Sequence, residues 1–342
     1  MNDFFKAVQK FIMDYLPKQK CCSENTIRSY KMTLNLFVDF LRQKKNFKVK
    51  EIDFKFINRE IITEFLEWLE TERKCSVSSR NQRLAALRSF FNYAGLIDCV
   101  NVSTSLAISK IPRKNQPSKV VDFLSENALK LLLEQPNLTD NLGLRNGFFM
   151  ILMYDTAARC SELLNLRLCD VNAEDKTPTV YLTGKGNKTR LVPLMRKTLD
   201  HYKNYLKAFH KNASLKSTDY LFYTIIHNHK NKMSPDTVAL FMSKYGKLSK
   251  EKHPEMPSHI HPHMLRHTRA IHLYRNGMPL ELVSQFLGHS QLETSRIYAF
   301  ADTEMKRDAI LKADKLLAPN AHKSKAMWKD DEDMILRLSG LR

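Results

Sequence analysis

No stretch of this sequence approaches the roughly 20 consecutive apolar residues that a membrane-spanning helix needs. The N-terminal stretch MNDFFKAVQKFIMDYL contains Asp3 and Asp14, and it lacks the continuous apolar run and small-residue cleavage site of a secretory signal peptide. We therefore expect neither a membrane span nor a signal peptide. The spacing of the apolar residues in this stretch instead predicts an amphipathic first helix.

The sequence is also poor in cysteine and has no CxxC pair. A disulfide framework or a zinc site usually shows closely and regularly spaced cysteines. Here the cysteines are scattered, as Cys21, Cys22, Cys75, Cys99, Cys160 and Cys169. Reduced thiols in a cytoplasmic protein are therefore the simplest interpretation.

Acidic residues are too few to balance the basic ones. The 342 residues include 36 Asp and Glu against 55 Lys and Arg, which gives a formal net charge of +19 and a pI near 9.6. A surplus of this size favours a polyanionic partner, with nucleic acid first and a membrane surface as the competitor. The length favours two domains, and the hydrophobic content of 43% is enough for ordinary packed cores.

Residues 1–111 show the spacing of amphipathic helices throughout. Ser23 is a candidate N-cap, followed by helices over about 58–72 and 78–93. The apolar positions predicted to face inward in these three helices are Ile27, Tyr30, Leu34, Phe37, Leu41, Ile61, Phe65, Leu66, Leu69, Leu84, Leu87, Phe90 and Phe91. The opposite face of the third helix holds Arg80, Arg83 and Arg88. Such a face is either solvated or a contact for the DNA backbone, and the net charge favours DNA.

The stretch IPRKNQPSK, residues 111–119, has two prolines and no apolar run, which predicts an exposed linker. Arg113 and Lys114 make it basic enough to lie along phosphates. A second domain follows, in which Ser125 is a candidate N-cap and residues 144–158 form a long apolar helix.

Arg159 follows this apolar helix and precedes another apolar turn. A cation among so much apolar surface is costly unless an anion meets it, and Glu162 is the candidate protein partner. Residues 179–182 and 190–194 predict two strands joined by the turn GKGNK, which contains Lys185 and Lys188. Residues 196–209 and 234–252 predict helices without evident chemistry.

The stretch from His261 to Tyr298 combines the residues best suited to phosphoryl transfer. A helix over 263–276 places His263 and Arg266 one turn apart on one face. Pro279 opens a second helix, with an apolar stripe of Leu280, Val283, Phe286 and Leu287, that ends at Gly288.

His289 and Tyr298 come after this second helix. Arg can hold phosphate oxygens, His moves protons near neutral pH, and a Tyr oxygen can attack phosphorus. Each of these residue types is more often structural when it stands alone. Their combination with the motifs upstream favours a functional site.

The motifs resemble those of the tyrosine recombinases, or phage integrase family, and among them the Xer-like or transposase-like simple members. The similarity covers roughly residues 10–317. Its segments are SENTIRSY (23–30), NQRLAALRSFF (81–91), RCSE (159–162), GKGNKTRLVPL (184–194), HPHMLRHT (261–268), LGHS (287–290) and Tyr298. One departure is Thr156-Ala157-Ala158, where the family usually has Thr-Gly, so that the backbone bend before Arg159 is expected to differ.

The resemblance implies a role for six residues in metal- and ATP-independent DNA cleavage. Tyr298 matches the nucleophile that forms a 3′-phosphotyrosyl link. Arg159 and Arg266 match the arginines that stabilise the charge at phosphorus. Lys185 matches the general acid for the leaving 5′-oxygen, His263 the proton acceptor and His289 a hydrogen-bond donor to phosphate. His267 matches no such role, and we interpret it as structural.

The resemblance also implies the fold and the assembly. The expected fold is mainly α, with a helical, SAM-like core-binding domain (1–111), a linker (112–123) and a mixed α/β catalytic domain with a small antiparallel sheet (124–318). The two domains would close on double-stranded DNA as a C-shaped clamp. Residues 319–342 would form a tail helix. A homotetramer, two subunits per inverted-repeat site, would exchange strands through a Holliday junction without a cofactor.

A type IB-like topoisomerase shares this chemistry and never exchanges strands. The Xer-like first domain disfavours it.

Two further classes remain as alternatives. The sequence His261-Pro262-His263 has the spacing of metal ligands in a metal-dependent nuclease or relaxase, although no carboxylate cluster lies nearby. A DNA-binding protein without activity would keep the fold and lose the chemistry. The presence of all six reactive positions disfavours this class.

Deleting the tail from Met327 tests the expected subunit docking. Trp328, Met334, Ile335 and Leu338 have helical spacing beyond the break at Pro319, which suits a helix that docks on a neighbouring subunit. We expect the truncated chain to bind a single DNA site as the full chain does, and to fail to pair two sites in a mobility-shift assay. Normal pairing of sites would contradict this prediction.

Overall fold

The structure is a computed structural model that describes residues 2–115, 121–174, 176–254, 256–257 and 259–288, with Tyr298, Arg307, Leu311, Asp333, Leu336 and Arg337. The chain divides into two compact units, Met1–Ser118 and Lys119–Arg342. The division lies within the predicted linker. The predicted tail helix lies almost entirely outside the described residues. No helix in the described part of the chain is long and apolar enough to cross a membrane.

The regular structure in the described part of the first unit is helical. Its helices are α1 (Asp3–Lys10), a π-helical continuation (Phe11–Gln19), α2 (Glu24–Lys44), α3 (Arg59–Thr71), α4 (Val77–Ile97) and α5 (Val102–Ser109), with 3₁₀ turns at Val49–Glu51, Phe54–Phe56 and Cys99–Asn101. Side chains of Asn2, Ser23, Asn58 and Ser76 accept a backbone N–H at the starts of α1 to α4. The N-cap predicted at Ser23 is therefore confirmed.

Aromatic rings fill the core of the first unit. Phe90 of α4 packs against Phe4, Phe11, Phe54 and Phe91, with ring centroids 5.2–6.1 Å apart. The inward positions predicted in α4 are all buried, and those predicted in α2 and α3 are buried or packed against this core. The helical periodicity of the sequence therefore identified this core correctly.

The arginines of α4 contact protein oxygens. Arg80 donates to the carbonyl oxygen of Pro112 at 3.1 Å, and Arg88 donates to that of Ile111. Arg83 donates to Thr33 Oγ1 at 3.0 Å. The contacts of Arg80 and Arg88 attach the segment leading out of the unit to α4, and that of Arg83 joins α4 to α2. A DNA contact by these three residues stays a prediction.

The second unit combines helices with two small antiparallel sheets. Its helices are α6 (Glu126–Leu133), α7 (Asn141–Thr156), α8 (Cys160–Asn165), α9 (Arg196–Phe209), α10 (Pro235–Lys252), α11 (Pro262–Arg275) and α12 (Leu280–Leu287). Its strands are β1 (Val171–Asn172), β2 (Thr179–Thr183), β3 (Thr189–Pro193), β4 (Tyr223–Ile226) and β5 (His229–Lys232). The expectation of a mainly helical protein with a small antiparallel sheet is confirmed.

Strand β2 lies between β1 and β3, and β4 pairs only with β5. The β2–β3 hairpin forms where the sequence predicts two strands, with Val180 opposite Val192 and Leu182 opposite Arg190. The sequence pattern does not predict β4–β5. All four residues of β5 are exposed, so the apolar alternation that marks a half-buried strand is absent.

Two apolar clusters hold the second unit together. The larger one surrounds α7, where Phe148, Phe149 and Met153 are fully buried. The smaller one consists of Ala157, Ala270, Ile271, Val283, Leu287 and Tyr298. It joins the end of α7, which directly precedes Arg159, to α11, which carries His263 and Arg266, and to α12.

Replacing Phe90 with Ala tests the aromatic core of the first unit. Removing a fully buried ring costs about 3–5 kcal/mol of unfolding free energy. The matched control is Phe56→Ala, because Phe56 is 44% exposed and its loss should cost about 1 kcal/mol or less. Urea unfolding followed through the fluorescence of Trp68, which lies in this unit, measures both. Equal losses in the two variants would contradict the assignment of Phe90 to the core.

Candidate active site

Arg159 lies at a sharp turn between α7 and α8. Helix α7 ends at Ala157, whose φ of 48° and ψ of 32° are left-handed. Glycine favours this conformation at a helix end, and alanine adopts it here at some cost. Alanine therefore does not prolong the helix, and the turn places Arg159 as the N-cap of α8.

The carboxylate of Glu162 receives four hydrogen bonds. Oε1 accepts from Arg159 Nη1 at 2.7 Å and from Arg190 Nη1 at 3.0 Å. Oε2 accepts from the Arg159 backbone N–H and from Arg190 Nη2, both at 2.8 Å. The Glu162 side chain is only 1% exposed. Its position in the first turn of α8 adds a favourable interaction with the helix dipole.

These contacts keep Glu162 ionised. Burial alone would raise the pKa of this carboxyl group. The hydrogen bonds from Arg190 and from the backbone and side chain of Arg159 outweigh burial and lower the pKa to about 2. Glu162 is therefore the partner of Arg159 that the sequence suggests, and it also pairs with Arg190.

Arg266 is held by backbone carbonyls. Nη1 donates to Ala157 O and Nη2 to Leu287 O, both at 2.6 Å. The side chain is buried, and burial lowers its pKa to about 10, with Arg159 and Arg190 contributing. Arg266 thus joins the left-handed turn after α7 to the end of α12.

Tyr298 packs in the smaller apolar cluster and is 1% exposed. Its hydroxyl lies 3.0 Å from Nδ1 of His267 on α11. Burial raises the pKa of this phenol, although Arg266 and Arg159 pull the pKa down. The tyrosine hydroxyl therefore lies in the field of both predicted catalytic arginines.

Two histidines on α11 stay neutral at pH 7. Partial burial lowers the pKa of His263, with Arg266 and Arg159 contributing. Burial lowers the pKa of His267 to about 4, with His263 and Arg266 contributing. A neutral imidazole can accept a proton, which an imidazolium cannot.

Two predicted site residues have no described side chain. Lys185 begins a single turn, Lys185–Asn187, between β2 and β3, and only its backbone is described. Lys188 is exposed in the same hairpin. His289 lies outside the described residues.

The structure thus brings together Arg159, His263, Arg266 and Tyr298, and it adds Arg190 and His267. The sequence could have indicated that Arg190 faces the protein interior. Side chains alternate along β3, so Arg190 shares a strand face with the buried Val192. His267 follows His263 by one helical turn. Among the described residues, no three His, Cys, Asp or Glu side chains gather as metal ligands do.

A partly buried thiol adjoins the site. Cys160 is the first residue of α8, directly after Arg159. Burial raises the pKa of this thiol to about 11. All six cysteines of the chain are free thiols.

Comparison with known proteins identifies the family. Residues 122–305 match the phage integrase family, and residues 8–95 match the N-terminal SAM-like domain of phage integrases. A tyrosine recombinase of Pseudothermotoga lettingae is 32% identical over 308 residues, which cover 90% of this chain and 98% of the relative. The chain therefore belongs to the phage integrase family, and it is a tyrosine site-specific recombinase.

Solved structures share the fold. XerH site-specific recombinase bound to palindromic difH substrate, in a post-cleavage complex, matches with a TM-score of 0.63 and 24% identity over 84% of this chain and 80% of that chain. A lambda integrase tetramer bound to a Holliday junction matches with a TM-score of 0.61 and 14% identity over 86% and 76% of the two chains. At these identities the likeness concerns the fold.

Replacing Glu162 with Gln tests the buried carboxylate. A pKa lowered from 4.5 to about 2 corresponds to about 3 kcal/mol of stability, present above pH 4.5 and lost as pH falls toward 2. We expect the variant to be less stable than the wild type by about that amount at neutral pH, and the difference to shrink by more than half near pH 3. Urea unfolding followed by circular dichroism measures it.

The control is Glu134→Gln, at a carboxylate that is 56% exposed and lies 4.0 Å from Lys130. This variant should differ little from the wild type at any pH. A destabilisation by Glu162→Gln that does not change with pH would contradict the role of the ionised carboxylate.

Proposed function

We propose that this chain recombines two DNA sites by cutting and rejoining strands through a covalent link between Tyr298 and a 3′-phosphate. The observation that carries the proposal is the imbalance of charge beside the tyrosine. Among the described residues, Arg159 and Arg190 share the carboxylate of Glu162, and Arg266 is held by backbone carbonyls, while His263 and His267 are neutral. A DNA phosphate would supply the missing negative charge.

Arg159 is the arginine best placed to meet that phosphate. Its side chain is 31% exposed. Within the part of the chain that the structure describes, only Nη1 of its guanidinium has a protein hydrogen bond. The other edge of the Arg159 guanidinium can donate to two phosphate oxygens. Arg266 would stabilise the same charge from a buried position, which strengthens its electrostatic effect.

The chemical step needs no energy source. The oxygen of Tyr298 forms a bond to phosphorus as the bond to the 5′-oxygen breaks, and His263 accepts the phenolic proton. Lys185 gives a proton to the leaving 5′-oxygen, and His289 donates a hydrogen bond to a phosphate oxygen. The phosphotyrosyl link keeps the energy of the broken bond, so attack by a 5′-hydroxyl reverses the step without ATP or a metal ion.

Tyr298 moves before it attacks. At 1% exposure its hydroxyl is out of reach of a phosphate, and its hydrogen bond to His267 holds it there. His263 is exposed at the start of α11, so it can meet the hydroxyl once the tyrosine has left the cluster. This movement explains why the predicted acceptor, His263, differs from the partner found for the buried tyrosine.

The remaining assignments concern DNA and the assembly. Arg113, Lys114 and Lys188 are exposed and suit phosphate contacts, and residues 1–111 and 124–318 would act as the core-binding and catalytic domains. The relative XerH is bound to a palindromic site, and lambda integrase is a tetramer on a Holliday junction. This chain would likewise act as a cytoplasmic homotetramer on paired inverted-repeat sites, exchanging strands through a Holliday junction.

Replacing Tyr298 with Phe tests the nucleophile. The change removes one oxygen and keeps the ring in its cluster, so DNA binding should be unchanged. Covalent adducts should disappear. The matched control is Tyr274→Phe, because Tyr274 also packs against this cluster. Nicked DNA selected from a random library for binding by the wild type serves as substrate, and denaturing gels detect adducts. Adducts formed by Tyr298→Phe would contradict the assignment.

A further inference from the structure

We propose that Arg190 is a positioning residue of the recombinase site, which acts through Glu162 on Arg159 and also holds the end of α12. The inference rests on the proposed function and adds a residue to it. Arg190 lies in β3 and its side chain is 13% exposed. It is therefore poorly placed to touch DNA, and its effect on the reaction has to pass through its protein partners.

The first connection runs to Arg159. Arg190 and Arg159 each donate to both oxygens of Glu162, so the carboxylate has little remaining capacity. Among the described residues, Glu162 Oε1 is the hydrogen-bond partner of the Arg159 guanidinium, so the orientation of that guanidinium depends on where Oε1 lies. Arg190 holds that oxygen with one half of a bidentate contact. It thereby determines which edge of Arg159 is presented to a phosphate.

The second connection runs to the end of α12. Nε of Arg190 donates to the carbonyl oxygen of Phe286 at 3.1 Å. The next carbonyl, that of Leu287, accepts from Arg266. Two arginines thus satisfy consecutive carbonyls at the negative end of this helix. Arg190 and Arg266 therefore both hold the C-terminal end of α12.

Two glycines allow the backbone to pass close to the ion pair. A Cβ at Gly184 would lie 2.8 Å from Glu162 Oε1, and a Cβ at Gly288 would lie 3.1 Å from Arg190 Cδ. Gly288 also has a φ of 65°, which L side chains rarely adopt. Gly184 directly precedes Lys185, and Gly288 directly precedes His289. The Glu162–Arg190 pair therefore contacts the chain next to both residues.

Only an arginine can make this set of contacts. Its planar guanidinium donates to two carboxylate oxygens and, through Nε, to a third acceptor. A lysine at the same position keeps the charge but offers a single nitrogen. Glu162 would then turn toward Arg159, the other strong donor within reach. Arg159 would pair more closely with Glu162, and its guanidinium would no longer present an edge to a phosphate.

The test is Arg190→Lys in the full chain, alone and combined with Arg159→Lys. We expect Arg190→Lys to slow single-turnover cleavage of nicked DNA about 10- to 100-fold, because small displacements of a catalytic group cost that much. DNA affinity should stay within about twofold, since Arg190 makes no contact with DNA. In the Arg159→Lys background the further loss should be about threefold or less, because the two residues act as one unit.

The matched control is Arg269→Lys. Arg269 is 19% exposed and pairs with the buried carboxylate of Asp155 at 3.3 Å, so its described ion pair involves neither Glu162 nor α12. We expect it to lower the melting temperature while leaving the cleavage rate of the folded protein unchanged. If Arg190→Lys does not fold, Glu162→Asp replaces it. This change moves the carboxylate away from Arg190 by one methylene group and keeps the charges of both residues.

The outcomes separate the two proposals. If the wild type forms no covalent adduct with any DNA that it binds, the proposed function fails. If the wild type forms adducts and Arg190→Lys cleaves at the same rate, the positioning role fails. Losses that multiply fully in the double variant overturn it as well, because a merely structural residue acts independently of Arg159.

Discussion

The arginine pair of the candidate site depends on one buried carboxylate, that of Glu162. Glu162 is the only acidic group paired with Arg159 or Arg190 among the described residues, and its four hydrogen bonds satisfy both of its oxygens. An arginine without this partner would be costly to hold beside the apolar end of α7. One carboxylate therefore allows two guanidiniums to lie close together although they repel each other. Two positive charges beside one negative charge leave the site with a net positive charge.

The backbone supplies what the carboxylate does not. Arg266 is satisfied by carbonyl oxygens at the ends of α7 and α12, and Arg190 by one further carbonyl. Carbonyl oxygens stabilise a buried guanidinium without neutralising its charge. The site therefore keeps the electrostatic potential that a phosphate requires, and its cations are already in place before substrate arrives. Neutral histidines on α11 complete a site with proton acceptors and fixed cations side by side.

The sequence was a good guide wherever local rules decide the structure. N-caps at Ser23 and Ser125, the helical stripe of α4 and the β2–β3 hairpin follow from caps, periodicity and turn residues. The β4–β5 hairpin lacks that information because its second strand is entirely exposed. The contacts of Arg190 and His267 join residues 28 and 31 positions apart, and no local pattern specifies such pairs. The family motifs identified the sequence segments of the site. The ion pair between Glu162 and Arg190, which joins two of these segments, became evident only from the structure.

The thiol of Cys160 has a consequence for the chemistry that the site tolerates. Oxidants and disulfides react with thiolate, and a pKa of about 11 leaves about one thiolate in ten thousand molecules at neutral pH. The thiol directly beside Arg159 is therefore a weaker nucleophile at neutral pH than a thiol with an ordinary pKa. Burial of this thiol thus slows thiol modification at the turn that holds Arg159.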